Sequence, residues 1–343
     1  MMRALVLSEG YNLSIKETTI PQIENNEVLI KVQAVGICGS DVHGYDGSTG
    51  RRIPPIIMGH ELSGIIEKTT KNSSFQVGDH VTAHSTIYCG KCIECKNKNF
   101  SICNNRKVIG VSCKEFKQDG GMSDYIALPE YIVYKIPKNV SFEEAAMAEP
   151  CSVALHAISK IEIPKRKNIL VFGCGTIGLL IVHTLKIKGY KNIISVDKVP
   201  ARLDKAIEMG AKESILWDKK MQNNDFSDNI LLNNIDCIVD AVGTSETLNA
   251  SINIINNGGF IRLVGNISNE VKFPLQDVVS KEIKLIGSYA FHSEISECLI
   301  MMQQKKINVN PLLSKIIKLE DAPYWFKKLA SSDSEIIKVI IKP

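Results

Sequence analysis

The 343-residue sequence has no apolar run long enough to cross a bilayer. The stretch that comes nearest, residues 169–185, holds three glycines and a histidine and falls short of the roughly 20 residues required. After Arg3 only four apolar residues follow before the sequence turns polar, too few for the centre of a secretory signal. Charge of one sign is also missing. Lys and Arg number 41 against 37 Asp and Glu, spread along the chain, which gives no reason to expect nucleic acid or a membrane as partner. No internal repeat is present, and no linker rich in Pro, Ser or charge. The 44% apolar residues are enough to bury substantial cores. These absences predict a soluble cytoplasmic protein of two domains, without disorder.

Residues 1 to about 150 read as short strands punctuated by Gly and Pro: ALVL, EVLIKVQAVGI, GIIEK, GDHVTAH, SDYIAL and YKIP. Alternation such as Val28, Ile30, Val32 is the period of a half-buried strand and predicts a mostly antiparallel β body with long loops. The texture changes at SFEEAAMAEPCSVALHAISK. There Ser141 and Glu144 have the spacing of a capping box, and Pro150 is expected to end or kink the helix they start. Short apolar strands then alternate with helices: NILVFG, TIGLLIVHTLKIKG, NIISVD, ARLDKAIEMG, IDCIVDAVG, a helical TLNASINIINNGG, and FIRLVG. That alternation is the signature of a parallel sheet covered on both faces. The fold class expected is α/β: a mostly-β domain from residues 1–152 and 290–343, and a doubly wound parallel-sheet domain over 153–289. The closing EIIKVIIKP is a strand expected to rejoin the first domain.

Strand, G-x-G-x-x-G and helix succeed one another in ILVFGCGTIGLL. Gly173 permits a tight turn, Gly175 lets backbone approach a pyrophosphate, and Gly178 lets helix and strand pack, so the helix N-terminus faces phosphates. Asp197 ends the next strand, 19 residues beyond Gly178, where a carboxylate accepts hydrogen bonds from an adenosine ribose. It also repels a 2′-phosphate and so favours NAD, although Lys198 and Arg202 leave room for NADP.

Ten cysteines in a long chain without a secretory signal point to metal binding or reactive thiols rather than to a disulfide scaffold. Cys89, Cys92, Cys95 and Cys103 follow C-x2-C-x2-C-x7-C. Thiolates so spaced can wrap one tetrahedral zinc within a single loop, a closed structural site that clamps a lobe with no core of its own. The alternatives are paired disulfides, disfavoured by compartment, and an iron–sulfur cluster, whose bacterial spacing closes faster and ends in Cys-Pro.

A third set is dispersed: Cys38, Ser40, Asp41 and His43 in GICGSDVHGYDG, His60 and Glu61 in GHE, and Glu149 in AEP. Singly, each has an ordinary reading: Cys38 as a small core residue, His60 as a turn residue after Gly59, the glutamates as surface carboxylates. In order, together with the cysteine loop and the glycine motif, they resemble the zinc-dependent medium-chain alcohol dehydrogenases across essentially the whole chain.

The resemblance implies a GroES-like catalytic domain built from both chain ends around a central Rossmann domain. It implies a catalytic zinc beside the structural one, and NAD as hydride acceptor. Cys38 and His60 would be ligands of the catalytic zinc. Glu149 stands where the alcohol dehydrogenases carry a second cysteine, as in the polyol and threonine dehydrogenase branch. Whether Glu61, Glu149 or a water completes the shell stays open, and Asp41 would orient His60. Ser40 resembles the hydroxyl that starts the family's proton relay and His43 its solvent end, unless His43 is a plain loop residue. Further cofactor contacts are implied at Thr176, Ile177, Val242, Gly243, Val264, Gly265 and Ser288.

On the substrate side Tyr45, Ser48 and Thr49 can bond hydroxyls, which suits a polyol. Arg51 and Arg52 are either a clamp for a sugar-alcohol phosphate or a solvated pair. The expected activity is zinc- and NAD-dependent oxidation of a secondary alcohol of a polyol or sugar alcohol, and the resemblance implies a homodimer or homotetramer. A galactitol-1-phosphate-like or L-threonine 3-dehydrogenase is the enzymatic alternative. A distant one is a non-catalytic protein using the zinc loop, with Lys91, Lys96, Lys98 and Phe100, as a nucleic-acid-binding knuckle; no wider basic patch supports it.

Overall fold

The computed structural model describes residues 1–111, 117–159, 161, 163–217, 234–330 and 335–343. The chain divides into two compact units, Met1–Ser152 with Phe291–Pro343, and Val153–Ala290. Among the described residues no helix is long and apolar enough to cross a membrane.

The first unit is organised by a seven-stranded sheet. Val133–Lys135, His80–Ala83, Glu61–Lys68, Glu27–Gly36, Lys338–Lys342 and Leu313–Lys318 lie side by side in that order, and Tyr125–Pro129 also pairs with Glu27–Gly36. All these pairings are antiparallel except the last in the row, Leu313–Lys318 with Lys338–Lys342. Met2–Ser8 forms a hairpin with Asn12–Thr18 and takes Ile56–Ile57 on its other edge. Glu27–Gly36 is the spine of this unit, with Val28, Leu29, Ile30, Val32 and Val35 all buried. The EIIKVIIKP run inserts beside it, Ile340 opposite Gly36 and Ile341 opposite Val35.

Ser141 and Glu144 form the capping box that their spacing predicts: Glu144 N donates to Ser141 Oγ at 3.2 Å and Ser141 N to Glu144 Oε2 at 2.9 Å. The helix they open, Phe142–Ala146, stops before Pro150 is reached. Pro150 instead sits in the first turn of a second helix, Ala148–Ser159. The expectation that Pro150 ends the helix opened by Ser141 holds, since that helix stops at Ala146, whose carbonyl a proline four residues on would crowd; the first turn of the next helix tolerates Pro150 because a first-turn residue has no intrahelical N–H bond to lose.

The second unit is a six-stranded parallel sheet in the order Glu213–Leu216, Asn192–Asp197, Asn168–Phe172, Ile235–Asp240, Ile255–Leu263, Lys284–Gly287. Helices Thr176–Ile187, Pro200–Met209 and Ser245–Ile254 connect successive strands. Leu170, Phe172, Ile194, Val196, Ile238 and Ile261 make its core. The stretch TLNASINIINNGG is not helical throughout. The helix ends at Ile254 and a strand begins at Ile255, paired with Ile235. Two asparagines followed by two glycines are poor helix formers, so the sheet claims this end of the segment.

At Gly178 the backbone leaves no room for a side chain: a Cβ there would collide with the carbonyl of Gly173. At Gly175 a Cβ would meet nothing within 4 Å, and its φ of −74° is open to any residue. Gly178→Ala should therefore destabilise the protein by about 1–3 kcal/mol, the usual cost of overpacking, while Gly175→Ala leaves the melting temperature near wild type. Equal melting temperatures for the two variants would refute this account of the turn.

Candidate active site and metal centres

Strand Glu27–Gly36 ends at a corner where Cys38 precedes one helical turn, Gly39–Val42. Cys38 N donates to Asp41 Oδ2 at 3.2 Å, and Ser40 Oγ donates to Cys38 Sγ at 3.3 Å. The neighbouring strand delivers His60 and Glu61. Gly36 is needed for this approach, because a Cβ on it would strike the Glu61 carboxylate. The ligand atoms of Cys38, His60 and Glu61 consequently all lie within 4.8 Å of one another. Glu149 is not a member of this tight group, although its charge acts on His60. It is buried, and Ser85 Oγ donates to its Oε1 at 2.7 Å.

Two cations stand behind the cluster, and the motifs named neither of them in this role. Lys338 and Glu61 are each only 1% exposed, and Lys338 Nζ donates to both Glu61 oxygens at 2.9 and 2.7 Å and to Ile37 O at 3.1 Å. The sequence signal was a lone lysine inside an otherwise apolar strand run. Arg52, 2% exposed, donates from Nη2 to Asp41 Oδ1 at 2.7 Å and to Ser40 Oγ at 3.3 Å. Arg52 is thus neither of the two things its sequence neighbourhood suggested. It is not half of a solvated pair with the exposed Arg51, and its guanidinium is already engaged by a buried carboxylate. Asp41, in turn, lies 3.8 Å from His60 Nδ1, too far for a hydrogen bond, and its stronger contact is with Arg52.

The electrostatics fit a bound cation. Burial alone would lower the pKa of His60, but the charges of Asp41 and Cys38 outweigh it and raise it to about 10. Burial raises Glu149 to about 6, helped by the nearby charge of Glu61. Burial likewise opposes the charge on Lys338, and the Glu61 carboxylate more than restores it. An imidazole in these surroundings takes up a proton because the negative charge around it is incompletely balanced. His60 Nδ1 is also buried with no hydrogen-bond partner. A half-buried cysteine sulfur, a buried imidazole and buried carboxylates brought this close together are the donor set that zinc accepts.

The remaining residues of this region lie nearer to solvent. His43 is exposed at the end of the helical turn, and its carbonyl accepts from Ser48 Oγ at 3.0 Å. Thr49 Oγ1 accepts from Arg51 N at 3.4 Å, and Tyr45 packs edge-on against Phe326 at 5.6 Å.

The four-cysteine loop gathers its sulfurs: Cys92 to Cys95 is 3.5 Å, Cys92 to Cys103 3.8 Å and Cys89 to Cys95 4.0 Å. A disulfide would bring two of them to about 2 Å, whereas thiolates on a tetrahedron with bonds of about 2.3 Å stand about 3.8 Å apart. Backbone N–H groups of Lys91 and Cys92 aim at Cys89 and pull its pKa down to about 6, and those of Cys95 and Asn104 lower Cys92. Burial pushes Cys95 up to about 12. The spacing is that of one metal ion rather than of disulfides.

In the second unit Gly173 takes φ +88°, a left-handed value that favours glycine, and Thr176 and Ile177 open the helix that follows. Asp197, at the end of its strand, accepts from Cys174 N at 2.6 Å and from Val199 N at 2.9 Å, so it holds the glycine loop. Arg202 is half-buried on the helix Pro200–Met209. Asp240, which the motifs did not single out, does the same for the next loop. Its Oδ1 accepts from Val242 N and Gly243 N, both at 2.9 Å, and its carbonyl accepts from Val264 N and Gly265 N. Ser288 N donates to Leu263 O at 2.8 Å. All these residues therefore collect at the carboxyl ends of the parallel strands, where open α/β sheets bind dinucleotides.

Known proteins agree with this picture. Residues 24–138 match the family described as alcohol dehydrogenase GroES-like domain, and residues 176–304 the family described as zinc-binding dehydrogenase. The chain is 30% identical to D-xylulose reductase A of Aspergillus oryzae, over 98% of this chain and 96% of that protein. Among solved structures, an alcohol dehydrogenase from Escherichia coli complexed with NADH superposes with a TM-score of 0.90 at 27% identity, covering 100% of this chain and 99% of the other. Galactitol-1-phosphate dehydrogenase from Escherichia coli does so with a TM-score of 0.89 at 25% identity, covering both chains fully. Motifs, fold and relatives converge: this oxidoreductase belongs to the zinc-dependent medium-chain alcohol dehydrogenases, in the branch that includes the polyol dehydrogenases.

Proposed function

We propose that the protein catalyses the reversible oxidation of a secondary hydroxyl of a neutral polyol to a ketone, with NAD as hydride acceptor and release of one proton. The observation that carries this reading is the cluster of half-buried Cys38 with buried His60 and Glu61, in which the surrounding negative charge raises the pKa of His60. Cys38, His60 and Glu149 would hold the catalytic zinc. Glu61 lies within the cluster but is committed to Lys338, and drawing it away would leave a buried ammonium unpaired at a cost of about 3–5 kcal/mol. Glu149 is bonded by a neutral hydroxyl and has no such obligation. Zinc supplies the Lewis acidity that lowers the pKa of the substrate hydroxyl towards neutrality.

The chain's own groups do the rest. Ser40, beside Cys38, takes the proton of the substrate hydroxyl and passes it towards the exposed His43. Arg52 fixes both Ser40 Oγ and Asp41 from behind. Asp197 orients the adenosine ribose, and the helix N-terminus at Thr176 faces the pyrophosphate. The four-cysteine site would hold its zinc structurally, away from the chemistry.

A neutral polyol is preferred over a polyol phosphate because Arg52 is bound to Asp41, which leaves Arg51 without a second guanidinium to form a clamp. A panel of polyols, polyol phosphates and L-threonine assayed for NADH formation is expected to give its highest kcat/KM with a neutral polyol. Highest turnover with a phosphate or with threonine would overturn the substrate class. A homo-oligomer is also proposed. Lys284–Gly287 is an edge strand of the parallel sheet, and Leu275 and Val279 on the preceding helix are 63% and 67% exposed. Native mass spectrometry should find a dimer or tetramer, and a monomer at assay concentration refutes it.

The two metal sites should separate on mutation. Cys38→Ala or His60→Ala is expected to abolish turnover while NAD binding, followed by cofactor fluorescence, persists. Cys89→Ala is expected to lower the melting temperature and weaken assembly instead. A His60→Ala enzyme with wild-type activity would sink the functional reading.

A further inference from the structure

Ser85 belongs to none of the motifs, yet its hydroxyl bonds Oε1 of the buried Glu149 at 2.7 Å. The backbone that carries it is held from several sides. Ser85 O accepts from Ile109 N at 2.9 Å, and His84 N donates to Ile132 O at 2.8 Å. Thr86 N donates to His84 Nδ1 at 2.8 Å, so the proton of the neutral ring must lie on Nε2, which is 3.1 Å from His292 O. The ring also lies 4.1 Å from that of Phe291, and His292 Nδ1 is 2.9 Å from Ser101 Oγ in the four-cysteine lobe. A chain of contacts thus runs from that lobe to the serine and ends on one carboxylate oxygen.

We propose that Ser85 is a positioning residue of the catalytic metal centre, its hydroxyl fixing the Glu149 carboxylate in one orientation for cation binding. This rests on the reading of Glu149 as a ligand. A glutamate side chain that must be ordered before it can bind loses affinity by the cost of ordering it, and an outer hydrogen bond on a ligand removes that cost. The fixed seryl donor also leaves Oε2 as the acceptor that is free to meet a positive charge. A serine that only satisfied a buried carboxylate would matter for stability and not for the metal.

The two roles separate in purified holoprotein by titrating zinc against a chromogenic chelator, with the melting temperature read in parallel. Wild type should hold two zinc ions per chain of unequal lability. Ser85→Ala is expected to weaken the more labile ion about 10-fold, leave the other unchanged, and shift the visible spectrum of the cobalt-substituted labile site. Ser85→Thr, which keeps the hydroxyl, should stay within about threefold of wild type. Ser85→Gly serves in place of the alanine variant should that one not fold. Unchanged affinity in the variant lacking the hydroxyl, equal weakening of both ions, or a threonine variant as weak as alanine overturns the proposal. A wild-type protein with zinc only in the four-cysteine site instead overturns the functional reading on which the proposal stands, so the two failures are distinguishable.

Discussion

Negative charge collected where water is scarce is the constraint that shapes the first unit. A thiol and three carboxylates, on Cys38, Asp41, Glu61 and Glu149, share one interior region with His60. An uncompensated charge in such a place costs several kcal/mol, so each must be neutralised by a partner or by a proton. Arg52 answers Asp41 and Lys338 answers Glu61. What remains is the half-buried Cys38 thiol, the His60 imidazole and Glu149: the negative charge around His60 raises its pKa, and burial raises that of Glu149.

One of these partner cations depends on chain topology. Lys338 stands 277 residues from Glu61 and reaches it because the last strand inserts beside Glu27–Gly36, the same strand whose far end leads to Cys38. The cluster of Cys38, His60 and Glu61 and the closing of the sheet are therefore one packing problem: an ammonium on that strand pointing inwards is tolerated only because a carboxylate meets it. Close backbone approach is the other requirement, met by Gly36 beneath the Glu61 carboxylate.

The second unit solves a related problem with backbone instead of metal. Asp197 and Asp240 each sit at the carboxyl end of an interior strand: Asp197 accepts from Cys174 N in the glycine loop of the neighbouring strand and from Val199 N just after itself, and Asp240 accepts from Val242 N and Gly243 N of the loop that follows it. The loops are held in shape before any dinucleotide arrives, which lowers the ordering cost of binding. Gly173 and Gly178 give the turn its left-handed bend and its tight contact with the helix.

Family, fold class and chemistry were legible in the sequence because each is written in short-range patterns: the spacing of four cysteines, the glycine turn between strand and helix, Gly-His-Glu, and the alternation of apolar strands with helices. Local propensity was less decisive where the sheet competed for a segment, as at Ile255. The sequence by itself determined which residues could bind a metal or a dinucleotide, since that is a property of side-chain type and local spacing. Only the tertiary structure decided how they are charged and held: that Arg52 is buried on Asp41, that Lys338 occupies Glu61, and that Ser85 rests on Glu149. Those pairings join residues 11, 277 and 64 positions apart, and ion pairing in a dry interior depends on where strands meet in space, which no spacing along the chain encodes.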